Sequence, residues 1–213
     1  FSGGKFAGSA NFSEAEFTLG ADFSEAEFTE STKFSWAKFT ANADFFETVF
    51  PLEVKFSRAK FLLDVNFSEA EFPEYANFPE AEFTGDATFS GAKFTGDATF
   101  SGAKFTRNAT FSGAKFTRNA TFSGAKFTRN ADFFEAAFED KPRFEYTLDN
   151  KTCKARFSCK ANPEDYNFKV WHYSPYKIET EEQEHNGTKF IIPKGTELFD
   201  PDEPSEQSNN DGN

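Results

Sequence analysis

The chain has 213 residues, 23 of them basic and 35 acidic, for a net charge of −12, and 33 of its residues are Phe. That balance argues against duplex nucleic acid as a partner, because neutralising phosphates takes clustered Lys and Arg. No apolar stretch approaches the roughly 18–20 residues that a spanning helix needs, so no membrane span is expected.

The charge is uneven along the chain. Residues 1–83 carry 6 basic and 15 acidic residues, residues 84–138 carry 7 and 4, and residues 139–213 carry 10 and 16. A basic protein or cationic surface would suit the acidic ends, and the same charge also keeps a rod soluble.

The first element in chain order is a repeat. From Phe6 to Phe144 a Phe recurs at spacings that alternate between 6 and 5, and Phe1 extends the series backwards. Two residues before almost every Phe stands a small residue, as in Ala10, Ala15, Ala21, Ala26, Ala37 and Ala43; the exceptions include Thr32, Thr48, Val54 and Val65. Residues two apart on an extended chain point to one side, so each Ala-x-Phe triplet buries Ala and Phe and turns the middle residue outward. A helix at 3.6 residues per turn would scatter these Phe around its axis. The longer units end in Thr84-Gly85-Asp86 or Thr106-Arg107-Asn108, where Gly, Asn and Asp suit a tight bend of positive φ. The other corner is Ser-Gly or Ser-Glu, as at Ser90-Gly91 and Ser24-Glu25.

This Ala-x-Phe-Ser/Thr pattern over residues 1–144 resembles the pentapeptide-repeat family, with a sixth residue in every second unit as the one departure. The resemblance implies an all-β, right-handed, four-sided parallel β-helix with one unit per side, hence 22 residues per coil here. Stacking at that period places Phe23, Phe45, Phe67, Phe89, Phe111 and Phe133 in one column and Phe34, Phe56, Phe78, Phe100 and Phe122 in a second.

Residues 145–199 break the pattern and read as a C-terminal cap, since an open coil would leave strand edges and rings bare. Within them Lys177 to His185 reads as a short charged helix ended by Asn186-Gly187, and Phe190-Ile191-Ile192 as a strand. Residues 200–213 read as an acidic flexible tail. No comparable cap precedes Phe1, which directs attention to the first coil as a surface for self-association through the rod's ends.

No residue is assigned as catalytic, cofactor-binding or metal-binding, and the expectation is a non-enzymatic protein without cofactors. His172 and His185 stand at no ligand spacing with the cysteines, carboxylate pairs such as Glu14/Glu16 and Glu25/Glu27 lie on a regular exposed face, and Asp200-Pro201-Asp202-Glu203 lacks the spacing of a calcium loop. Cys153 and Cys159 are read as a disulfide pair, with two free thiols as the alternative. Lys93 stacks near Lys115, and Lys104 near Lys126, as a cationic stripe for an acidic partner; duplication of near-identical repeats accounts for the same lysines without a function. Thr88 with Thr110, and Thr99 with Thr121, form short hydroxyl arrays like those of ice-binding solenoids. Asn-x-Ser/Thr triplets, as at Asn108 and Asn119, arise from the repeat itself.

The leading expectation is a structural or protein-interaction rod, extracellular or at a cell surface, that stacks head to tail into a filament. The alternatives are a cytoplasmic acidic rod that mimics DNA and binds a topoisomerase, as the family resemblance implies, and an ice-binding solenoid.

Overall fold

The structure, a computed structural model, describes residues 1–203. Two-residue strands recur along residues 5–138, and each pairs in parallel with a strand 22 residues away, as Lys60–Phe61 pairs with Glu82–Phe83. The result is a parallel β-solenoid of about 6 coils. No α-helix occurs among the described residues, and one short 3-10 turn spans Pro163–Asp165.

The coil has four faces. Face 1 runs from Lys5–Phe6 to Ala137–Phe138, with Val49 bridging Glu27 and Glu71 where no named strand forms. Face 2 runs from Ala10–Asn11 to Ala120–Thr121, face 3 begins at Glu16–Phe17, and face 4 begins at Ala21–Asp22.

A Phe ladder backs each face. Phe45 stacks on Phe67 at 4.7 Å and Phe89 on Phe111 at 4.9 Å between ring centroids. Phe56 stacks on Phe78, and Phe100 on Phe122. Two further ladders, Phe28–Phe50–Phe72–Phe94 and Phe39–Phe61–Phe83–Phe105, complete the core. Rings of neighbouring ladders meet edge to face, as Phe89 meets Phe100 at 5.3 Å and 83°. The strand spacing of ~4.8 Å sets the stack, and edge contacts let the aromatic quadrupoles complement one another. Phe23 and every later Phe of the repeat is buried except Phe46 and Phe134, which are the second residues of Phe-Phe pairs. Thr48 takes an Ala slot at no polar cost, because its Oγ1 donates to the Phe23 carbonyl at 2.8 Å.

The corners depart from the sequence expectation. Positive φ falls on the short corners, at Glu14, Glu25, Trp36, Glu47, Arg58, Glu69 and Glu80 and then at Gly91, Gly102, Gly113 and Gly124. Each is the third residue of a turn closed by a backbone bond such as Ala59 N–H to Phe56 carbonyl at 3.0 Å. Gly85 and Gly96, on the long corners, are not in the positive-φ region. The sixth residue relaxes the bend there, and the need for Gly is steric: a Cβ on Gly96 would lie 2.0 Å from the Glu74 carbonyl oxygen in the coil before. Asp and Asn on these corners bond from coil to coil, as Asn108 donates to Asp86 and Asn119 to Asp97.

The faces run past the end of the repeat. Arg156–Ser158 extends face 3 by pairing with Lys126–Phe127, and Glu197–Phe199 pairs beyond it. Tyr166–Asn167 extends face 4. Phe157 stacks on Phe127 at 5.0 Å, Phe144 on Phe122 at 5.3 Å and Phe168 near Phe133 at 5.8 Å. On face 1, Ser174 Oγ accepts from the Phe138 N–H at 2.8 Å. Tyr166 donates to the Ser158 carbonyl, and burial pushes its phenol well above the usual range. The helix expected over Lys177–His185 is instead a strand, Thr180–His185, in an antiparallel hairpin with Thr188–Pro193. Its alternation is the reason: Glu181, Gln183 and His185 turn inward while Glu182 and Glu184 face out. The turn sits on Asn186 and Gly187, both at positive φ. Of the expected tail, Asp200 and Asp202 hold the Lys160 ammonium, and 204–213 lie outside the described residues.

Candidate interaction surfaces

Every outward position on a face lies beside its counterpart one coil away, so the sequence of each column decides its electrostatics. Face 3 reads Glu16, Lys38, Lys60, Glu82, Lys104, Lys126, Arg156 and Glu197. Lys38 pairs with Glu16 at 2.7 Å, and Glu82 takes both Lys60 at 3.2 Å and Lys104 at 2.9 Å. The Lys104 hydrogen bond holds the Glu82 carboxyl below its ordinary range, against a partial burial that raises it. Lys126 is different. Its neighbours in register are Lys104 and Arg156, and burial together with those two cations pushes its ammonium below the ordinary range. The Arg156 guanidinium lies 5.1 Å over the Phe199 ring, and its Nε is buried without a partner among the described residues.

Face 1 reads Lys5, Glu27, Val49, Glu71, Lys93, Lys115 and Ala137. Glu71 pairs with Lys93 at 2.8 Å, and that hydrogen bond raises the Lys93 ammonium above its ordinary range. The lysines read from the sequence as one stripe therefore occupy two faces on opposite sides of the coil. Lys93 and Lys115 share face 1, and Lys104 and Lys126 share face 3. Lys93 and Lys104 are bound to carboxylates.

The hydroxyl arrays lie in register, Thr88 beside Thr110 on face 4 and Thr99 beside Thr121 on face 2. Asp132 and Arg143 end them on one side, and Asn66 and Asn77 on the other. Thr99 bonds back to Ser101 at 3.0 Å, as Asp22, Asp44 and Asn66 accept from residues two ahead. This middle residue caps the short corner, a role that the sequence reading did not assign to it. The bond from Ser24 holds the Asp22 carboxyl below its ordinary range.

Cys153, exposed, and Cys159, half-buried, stand as free thiols in this structure, the alternative reading of the pair. Cys153 lies beside Gly124 on the corner between faces 2 and 3. Cys159 follows the Arg156–Ser158 strand at the other edge of face 3, with its N–H on the Phe199 carbonyl. The strand holds them on different corners.

The grooves are shallow. One of about 760 Å³ lies between the end of the repeat and the cap hairpin, where Lys141, Arg143 and Lys194 are offset by Glu145, Glu179 and Glu181. Another, of about 430 Å³, opens where Gly102 and Gly124 leave the corner column without side chains. Among the described residues no group of three or more His, Cys, Asp or Glu converges as a metal site, and no helix is long and apolar enough to cross a membrane.

The family described as pentapeptide repeats, in nine copies, matches residues 45–93 and 89–137. No curated protein and no solved structure matches the chain. The matched stretch lies within the ring-stacked rod, and residues 45–137 of this chain are pentapeptide repeats of that family.

Proposed function

We propose that this chain is a non-catalytic scaffold, a stiff rod that binds protein partners along its faces. The observation that supports the reading is the pairing of a ring-stacked core with flat faces on which charge is sorted lengthwise. Carboxylates dominate the corners up to Glu80, and Arg107, Arg118 and Arg129 occupy corners beyond it. Such a surface presents fixed, regularly spaced groups to a macromolecule, whereas catalysis requires groups converging in a cleft.

Head-to-tail stacking is not part of the proposal, because Phe157, Phe168 and the cap strands cover the ring layer at the C-terminal end. A DNA-like acidic rod is set aside because the cations of the middle coils interrupt its charge.

The test is photo-crosslinking walked around the coil in cells that make the protein at native level. A crosslinking residue is placed in turn at Lys115 on face 1, Lys33 on face 2, Lys104 on face 3 and Thr110 on face 4. The proposal expects adducts with protein from one or two faces; adducts from none of the four would overturn it.

A further inference from the structure

The two ends of the charge gradient fit each other. On the corner between faces 4 and 1, Glu25, Glu47 and Glu69 stand one coil apart, all exposed and none with an ion-pair partner among the described residues. On the corner between faces 3 and 4, Arg107 and Arg129 stand one coil apart, both exposed and likewise without an ion-pair partner among the described residues. They flank a shallow groove with Thr106 and Asn108, whose single carboxylate, Asp86, is taken by Asn108. Beside them on face 3 lie Lys126 and Arg156, adjacent in register and without a carboxylate between them.

We propose that the Arg107–Arg129 edge of one copy docks the Glu25–Glu47–Glu69 edge of a second copy, side by side. Both edges inherit the same rise of ~4.8 Å per coil from the same ladder of strands, so each Arg meets a carboxylate with no mismatch along the axis. Arg and carboxylate form two-pronged bonds, and Lys126 and Arg156 extend the positive field behind them. Duplex DNA fits less well, since its phosphates rise by ~3.4 Å along each strand and the chain as a whole is acidic. Because the carboxylates precede the arginines by several coils, the contact staggers the rods by roughly 15 Å. Each copy offers both edges, so the contact is heterologous and need not close on itself.

The experiment is sedimentation velocity on the full chain in about 20 mM salt and in about 1 M salt, where the screening length falls to ~3 Å. The proposal expects dimers and larger species at low salt and monomer at high salt. R107E/R129E and E25K/E47K should each remain monomeric at low salt, with unchanged far-ultraviolet circular dichroism. An equimolar mixture of the two should associate again, because the intact edge of each complements the other. A wild-type monomer in both buffers would overturn the proposal. So would variants that assemble like wild type, a mixture that stays monomeric, or association that appears only when a short DNA duplex is added. Loss of this contact would leave the crosslinking test of face binding untouched.

Discussion

The first half of the rod and its middle follow the same path with different corner residues. From Glu14 to Glu80 the short corners carry Glu, Trp or Arg at φ of 52–63°, whereas from Gly91 to Gly124 they carry Gly at 66–71°. The stacks do not register the change: Phe45–Phe67 and Phe94–Phe116 both stand at 4.7 Å. A non-Gly residue in the left-handed region costs roughly 1–2 kcal/mol, so the first half tolerates a strain that the middle avoids. The bonds around each corner explain how. The turn closes on the Phe carbonyl and the corner N–H donates to the next coil, as Glu47 does to Ser68 at 3.0 Å, whatever the side chain. Corner side chains are therefore free to carry surface chemistry. In the first half they carry Glu25, Glu47 and Glu69, and a bidentate Arg58–Glu80 pair with Arg58 also 4.8 Å over Trp36.

If the core is common to both regions, emptying it should hurt them alike. Phe45→Ala and Phe100→Ala should each lower stability by ~3–5 kcal/mol, read from urea midpoints. A large difference between the two would mean that the regions do not share one core. The corners should differ in sign. Glu47→Gly should stabilise and Gly113→Ala should destabilise, each by about 1 kcal/mol. The space beside Gly113 is open, with the nearest atom, Gly91 N, at 3.9 Å from an added Cβ, so its cost reports φ rather than a clash.

Smaller still is the effect of charge on face 3. Lys126→Glu places a carboxylate between Lys104 and Arg156 and should stabilise by about 0.2–1 kcal/mol, visible as a small rise in urea midpoint that salt diminishes. The smallest effect is acid sensitivity. Asp22 and Glu82 lie in the acidic half with carboxyls held below their ordinary ranges, by the Ser24 and Lys104 hydrogen bonds respectively. A depressed carboxyl stabilises the fold above its unfolded pKa, and that contribution is lost as pH falls through the folded pKa. Stability should therefore decline as pH drops below about 4, and hydrogen exchange should show residues 16–83 opening before 84–131.

How much was legible depended on periodicity. One residue type at fixed spacing announced the Phe columns, and the 22-residue register then placed Lys93 by Lys115 and Lys104 by Lys126. Their placement on opposite sides was implicit in the four-sided coil, since 11 residues make half a turn. The continuation of face 3 was hidden because the hairpin of Glu145–Leu148 and Lys151–Lys154 interrupts the spacing. Its signal was present in Ala155-Arg156-Phe157, one more Ala-x-Phe triplet standing out of step. The Lys126–Arg156 contact was illegible for the same reason, as the loop breaks the count between them. The Thr180–His185 strand was misread because its acidic residues were weighed as helix formers, while its period-2 burial depends on Phe190 and Ile192 across the hairpin. The corner side of positive φ was misplaced because Gly85 and Gly96 serve close packing between coils.

The central claim is that outward residues of one face climb the rod by one strand spacing per coil. Spin labels at Asn11 and Thr121, both on face 2, measure it directly by electron–electron double resonance. Their sites are five coils apart, so the backbone positions should stand ~24 Å apart, with a narrow distribution. A broad distribution, or a centre beyond about 40 Å after allowance for the label arms, would contradict a stack of ~4.8 Å coils.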